Sequence, residues 1–321
     1  MKKKLIGIAL AACMTGTMAL STFGSAVTVD EVLANNRTAT QEAKAFTADV
    51  VGQADVEIAV ADQTMAFKGD VNMNMQTNMD PLEAQAKGSL NLDAMGQAMN
   101  LATEMYMKND ESGVLKSYAG VDEGEGMQWT VSSADSQSVE ALKAYLQSQD
   151  FSDLPISFEL ADGTVDVNGA QCYKVTATLG VEDVLNLYNY ALEKAGDAIP
   201  ADQLPQGDSL TMMAAMFNGL KVNFEMDVNA ETYLMEKCRI DMDGSDFSMI
   251  GMMIGSMMGA SSEEGEAAPA INVNVNNLFI EMLYNFGEPA QIAVPQEAID
   301  NAVEQSLSDI AGEAAEMVPA A

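Results

Sequence analysis

Between Asp55 and Asp80 the chain reads DVEIAVADQTMAFKGDVNMNMQTNMD. Val56, Ile58 and Val60 alternate with Glu57 and Ala59, and Val71, Met73 and Met75 alternate with Asn72, Asn74 and Gln76. In an extended strand this period of two puts the apolar side chains on one side and the polar ones on the other. A helix, with about 3.6 residues per turn, would scatter both kinds around its circumference. The stretch is therefore read as strand, with a turn at Asp62-Gln63 and a break at Asp80-Pro81. Further strands are expected over Gly88–Ala94, Ala98–Lys108, Val114–Ala119 and Met127–Ser132. Short strands at close spacing with polar turns describe an antiparallel meander with one wet face.

Helical periodicity brackets and interrupts the meander. Thr28-Val29-Asp30-Glu31 has the spacing of a capping box and opens a helix reaching about Ala45. Helices are also expected over Ser138–Gln147, over Val181–Lys194 and over Leu210–Leu220, which carries Met212 and Met213. A last helix is expected over 296–313, with Ile299, Val303, Leu307 and Ile310 on one side. Strands resume at Ile156–Leu160 and Gln171–Leu179, with turn signals at Asp162-Gly163 and Asn168-Gly169. A hairpin is expected to turn near Asn229 to Thr232, and INVNVNNLFIEMLYNFG to form one or two strands.

The N-terminus speaks to compartment. Lys2, Lys3 and Lys4 precede an apolar run from Leu5 to about Phe23, and small residues follow up to Ala26. This is the make-up of a secretory signal peptide over 1–26, cut after Ala26. The competing reading is a lipoprotein box ending in Cys13, which leaves a shorter apolar core. The remainder, 27–321, reads as a single domain. Its cysteines, Cys172 and Cys238, lie in separate strand-like segments. An exported pair either forms one disulfide or stays as two buried thiols. A net charge of −33 repels nucleic acid and anionic head groups.

No histidine is present, which removes the commonest general base and metal ligand. No Gly-rich phosphate loop follows a strand, and Asp241 to Asp246 lacks the EF-hand spacing. The chain is read as a non-enzyme without cofactors. Its distinctive residue is methionine, with 25 copies. Five of them fall in the insert 247–260, FSMIGMMIGSMMGA. Gly251, Gly255 and Gly259 recur there at intervals of four, a close-packing pattern. The insert is too short to span a bilayer and, as a helix, apolar all round. It is expected to tuck against the concave side of the sheet. The segment 261–270, SSEEGEAAPA, reads as a mobile acidic linker. Thioethers suit either a plastic apolar surface or Cu(I), for which Met252-Met253 and Met257-Met258 are the nearest clusters.

The order of these pieces carries a resemblance. A helix leads into AKAFTADV, and a run of strands follows. Then come VNGAQCYKVTATL with a helix after it, VNAETYLMEKCRIDM, and LYNFGEPAQIAVPQEA near the end. This order resembles the LolA/LolB/LppX superfamily of bacterial envelope proteins, in its secreted Gram-positive branch of unassigned function, over roughly Val27 to Ala298. The resemblance implies an α+β, mainly antiparallel fold, an unclosed half β-barrel with helices packed on its concave face. Members hold acyl chains or lipoproteins in the hollow, or serve as interaction modules. It further implies that Met73, Met75, Met105 and Met107 line the hollow, and that helices bearing Met212, Met213, Met252, Met253, Met257 and Met258 plug it. The leading expectation is an exported, non-enzymatic binder of an acyl chain or lipidated partner. It would be secreted or attached to the cell envelope, and neither bind nucleic acid nor remain an integral membrane protein after processing. The alternatives are an interaction or sensor module without ligand, and a Cu(I) carrier.

Overall fold

The computed structural model describes residues 27–60, 63–110, 112–134, 154–195, 218–260 and 271–304. The expectations for the signal peptide, Ala26 and Cys13, the helix at 138–147, Met212 and Met213, and the linker 261–270 lie outside the described residues.

The chain opens with α1 (Val29–Glu42) and a meander: β1 (Ala45–Val60), β2 (Gln63–Met79), β3 (Leu82–Ala94), β4 (Gln97–Asn109), β5 (Leu115–Asp122) and β6 (Gln128–Ala134). Next come β7 (Glu159–Leu160), β8 (Val165–Val167), β9 (Ala170–Leu179) and α2 (Val181–Ala195). They are followed by β10 (Val222–Asn229), β11 (Met235–Asp241), α3 (Ser248–Ala260) and β12 (Ile271–Gly287). The last pieces are α4 (Gln296–Asn301) and β13 (Val303–Glu304). Among the described residues one sheet runs β13-β6-β5-β4-β3-β2-β1-β12-β11-β10-β9-β7, with β8 beside β9. Its two ends do not meet, so the sheet is an open, unclosed half-barrel of the expected class. Every pairing is antiparallel except β13 on β6.

Register sorts the side chains. Residues directly opposite in an antiparallel ladder share a face. Phe46, Ala48 and Val50 of β1 stand opposite Thr77, Met75 and Met73 of β2, and opposite Phe286, Tyr284 and Met282 of β12. The intervening Thr47, Asp49 and Gln53 belong to the other face. Along β12 the apolar positions change parity, from Val273 and Val275 to Leu278 and Ile280. A bulge at Asp55/Val56 absorbs the change: Asp55 faces Asn277 and Val56 faces Val275, leaving Asn276 extra. All four apolar residues thereby stay on one face.

Helix α1 covers that face. Its capping box forms as expected: the Thr28 hydroxyl accepts from Glu31 N–H and the Glu31 carboxylate accepts from Thr28 N–H. Val32 and Leu33 pack with Phe46, Val50, Val175, Met226, Met235, Cys238, Met282 and Tyr284 in the main core. Asn36, buried in the same interface, donates to the carbonyl of Tyr233 at 2.8 Å. That bond ties the helix to the β10–β11 hairpin, which turns where the sequence placed it.

The C-terminal segment departs from expectation. The helix expected over 296–313 ends at Asn301, and Ala302 is extended. Val303–Glu304 then pairs with Thr130–Val131 of β6. Residues 288–304 thus form a strap across the polar face. Lys44 meets Glu288, the Asn78 side chain exchanges two hydrogen bonds with Ala290, and Lys108 donates to the Ile292 carbonyl at 2.7 Å. Beneath the strap Ile292 and Ala298 bury Tyr106, Tyr118 and Trp129 in a second, smaller core. Ile299 and Val303, the expected inward stripe, are exposed; the strap turns Ala298 inward instead.

Candidate functional site

From β12 across β1 to β6, the face that α1 packs on carries no charged residue on any strand. Beyond β2 it is built in cross-strand rows. Val71 aligns with Leu90 and Leu101, Gly69 with Leu92 and Met99, and Met75 with Ala86 and Met105. Met73 aligns with Gly88 and Thr103, and Thr103 with Val121. Gly88 is needed in its row, because a Cβ there would collide with the backbone of Asn72 and with the Met73 side chain. Part of this area is open to solvent: Leu92 is 39% exposed, Met99 52%, Met105 45% and Val121 40%. Large apolar side chains grouped in this way mark a surface that something else covers.

The opposite face holds the charges. Lys174 and Lys237 reach Glu225 at 2.8 and 3.0 Å, Lys237 and Arg239 each reach Glu281 at 3.5 Å, and Arg239 reaches Asp241 at 3.1 Å. Toward the other edge, Lys68 pairs with Asp55, Lys87 with Glu104, and Lys108 with Glu83. Asp227 lies buried within this network, and burial with the neighbouring Glu225 pushes its carboxyl above the ordinary aspartate value. Burial, followed by the carboxylates of Glu236, Asp227 and Asp166, pushes the Cys172 thiol up to about 11. It therefore stays protonated and poorly nucleophilic. Cys172 lies opposite Asn229 and Cys238 opposite Met226, so β10 separates them and they occupy opposite faces. No disulfide joins them. Of the two readings for the cysteines, buried thiols are the one observed.

The sequence-predicted residues divide accordingly. Met73, Met75, Met105 and Met107 share the apolar face, on β2 and β4. Met252, Met253, Met257 and Met258 belong to α3, where the side chains of Met257 and Met258 lie outside the description. Helix α3 meets the sheet through Gly251, where a Cβ would collide with the Ile271 carbonyl oxygen. Its partner is the stretch of β12 beyond Phe279, the last residue that β11 reaches. The glycine side thus lets helix and strand backbones touch. Met252 is 59% exposed, so the insert is not covered on all sides as expected. Sequence reading missed Leu90, Leu92, Met99, Leu101 and Val121. Their signal was the same alternation, carried two strands further. It also missed the second core, signalled by Tyr106, Tyr118 and Trp129 on the polar parity.

Among the described residues, no group of three or more His, Cys, Asp or Glu is placed to hold a metal ion, and no helix is long and apolar enough to cross a membrane.

The chain is similar to the Mycobacterium tuberculosis lipoprotein LppX at 13% identity, covering 79% of this chain and 92% of that one, with a TM-score of 0.29. It is similar to LprF from Mycobacterium bovis at 14% identity, covering 83% and 96%, with a TM-score of 0.32. A DUF1329 family protein from Desulfovibrio piger matches at 9% identity, covering 79% and 89%, with a TM-score of 0.22. Among curated proteins none matches the chain. The sequence profile of the family of unknown function DUF6612 matches residues 28–303, and the chain belongs to that family.

Proposed function

We propose that this chain is an exported, non-enzymatic binding protein that holds an acyl chain on the open part of its apolar face. The observation that carries the reading is the patch formed by Leu92, Met99, Met105 and Val121, which is apolar, exposed and free of charge. Covering such a patch with a chain of methylenes releases about 0.8 kcal/mol per buried CH₂. Methionine suits that contact, since its unbranched thioether follows the shape of a flexible ligand. Export follows from the signal-peptide composition of 1–26.

The test is direct. Protein purified without detergent is extracted with organic solvent, and the extract is analysed by mass spectrometry. In parallel, an uncharged solvatochromic dye is titrated onto delipidated protein. A co-purified acyl compound and saturable dye binding are expected. An empty extract together with no dye binding would leave the reading without support, and the ligand-free interaction module would replace it.

A further inference from the structure

We infer that the acyl ligand of this face carries a head group of zero net charge, neutral or zwitterionic, and that anionic amphiphiles are excluded. This rests on the acyl-binding reading above and narrows it. The inference comes from where the chain keeps its cations. Seven lysines and arginines stand on described strands: Lys68, Lys87, Lys108, Lys116, Lys174, Lys237 and Arg239. Register puts every one on the polar face. Each is already engaged by a carboxylate, at distances from 2.8 Å for Lys174–Glu225 to 3.4 Å for Lys116–Asp110. No strand residue from β12 to β6 offers a cation to the apolar face.

A fatty acid or an anionic phospholipid bound there would bring a charge with no partner on the sheet. An unpaired charge beside an apolar surface loses hydration without compensation. The approach is unfavourable as well, because the chain bears 48 acidic against 15 basic residues. On strands β2 to β5 the acidic residues are Asp70, Glu83, Asp93, Glu104 and Asp122, all on the polar face. A head group of zero net charge escapes both penalties: it stays hydrated at the rim while its chain lies across the Leu and Met rows.

The experiment displaces the bound dye with four ligands that share one oleoyl chain: monooleoylglycerol, oleoyl lysophosphatidylcholine, oleoyl lysophosphatidylglycerol and oleate. The first two should displace the dye at least about tenfold more tightly than the last two at low salt, and the gap should narrow as salt screens the protein field. Equal or tighter binding of the anionic pair would overturn the inference while leaving acyl binding intact. Displacement by none of the four would overturn acyl binding itself. A second variant gives the converse. Met105→Lys places a cation on the apolar face at a half-exposed position. With its melting temperature held near wild type, it should raise oleate affinity by about tenfold, as one new ion pair allows. An unchanged oleate affinity in that folded variant would contradict the inference.

Discussion

Two regions of one apolar face have different fates. Near β1 and β9 to β12 it is a core: Phe46, Val175, Met226 and Met282 lie buried beneath α1, and Phe46, Tyr284 and Phe286 pack ring to ring at 5.8 to 6.1 Å. Across β3 to β5 the same face carries Leu, Met, Ala and Val without an aromatic ring, and part of it is open. Both regions obey the same alternation. What separates them is the helix lying over one and not over the other. Burial makes the first region contribute to stability, whereas the second keeps apolar area in contact with water.

Paired substitutions in the two regions give the largest expected effect. Met226→Ala, at a fully buried position, should cost about 2–5 kcal/mol in urea unfolding. Met105→Ala, in the open area, should cost less than about 1 kcal/mol while weakening dye binding. Equal losses of stability at both sites would erase the distinction.

Gly251→Ala comes next. The added methyl meets the Ile271 carbonyl, and overpacking of that kind should cost about 1–3 kcal/mol. Thermal unfolding measures it, and an unchanged midpoint would mean that α3 does not bear on β12.

A smaller effect of opposite sign is expected on the polar face. The folded Asp227 carboxyl titrates above the ordinary 3.8, so its charged form is disfavoured in the fold. Its contribution to stability is fully present below 3.8 and is lost as pH rises through the higher folded value. Asp227→Asn should therefore be more stable than wild type near neutral pH, with the advantage closing as the solution is acidified. Urea unfolding at both ends of that range checks it; an advantage that grows toward acid would reverse the assignment.

The smallest effect is at the N-terminus of the helix that makes the difference. Thr28→Ala removes one half of the capping box and should cost about 1 kcal/mol, read as a lower urea midpoint.

How much of this was legible in the sequence follows from what each signal encodes. Alternation reports which residues share a face, and Met73 and Met75 were read from it; Met105 and Met107 joined them only through the family resemblance, and register puts all four on one face. It does not report what lies over that face, since α1 is distant in sequence from the hairpin it clamps through Asn36 and Tyr233. Small residues hid the true length of β1, where Ala48, Gly52 and Ala54 occupy apolar-face positions that periodicity scores weakly. The last helix failed for a different reason. Ile299 and Val303 have helical spacing, yet the free edge of β6 offers backbone partners to Val303–Glu304. A tertiary pairing of this kind overrides local propensity and leaves no trace in spacing. The cysteines needed register: only the ladder through β10 shows that Cys172 and Cys238 face opposite ways.

The central claim, that the open area of the apolar face holds an acyl chain, is tested most directly by photo-crosslinking. Monooleoylglycerol bearing a diazirine in its acyl chain is bound to the protein and irradiated, and adducts are mapped by peptide mass spectrometry. Adducts on Leu92, Met99, Leu101, Met105 and Val121 are predicted. Adducts confined to the polar face or the strap, or none at saturating probe, would contradict the account.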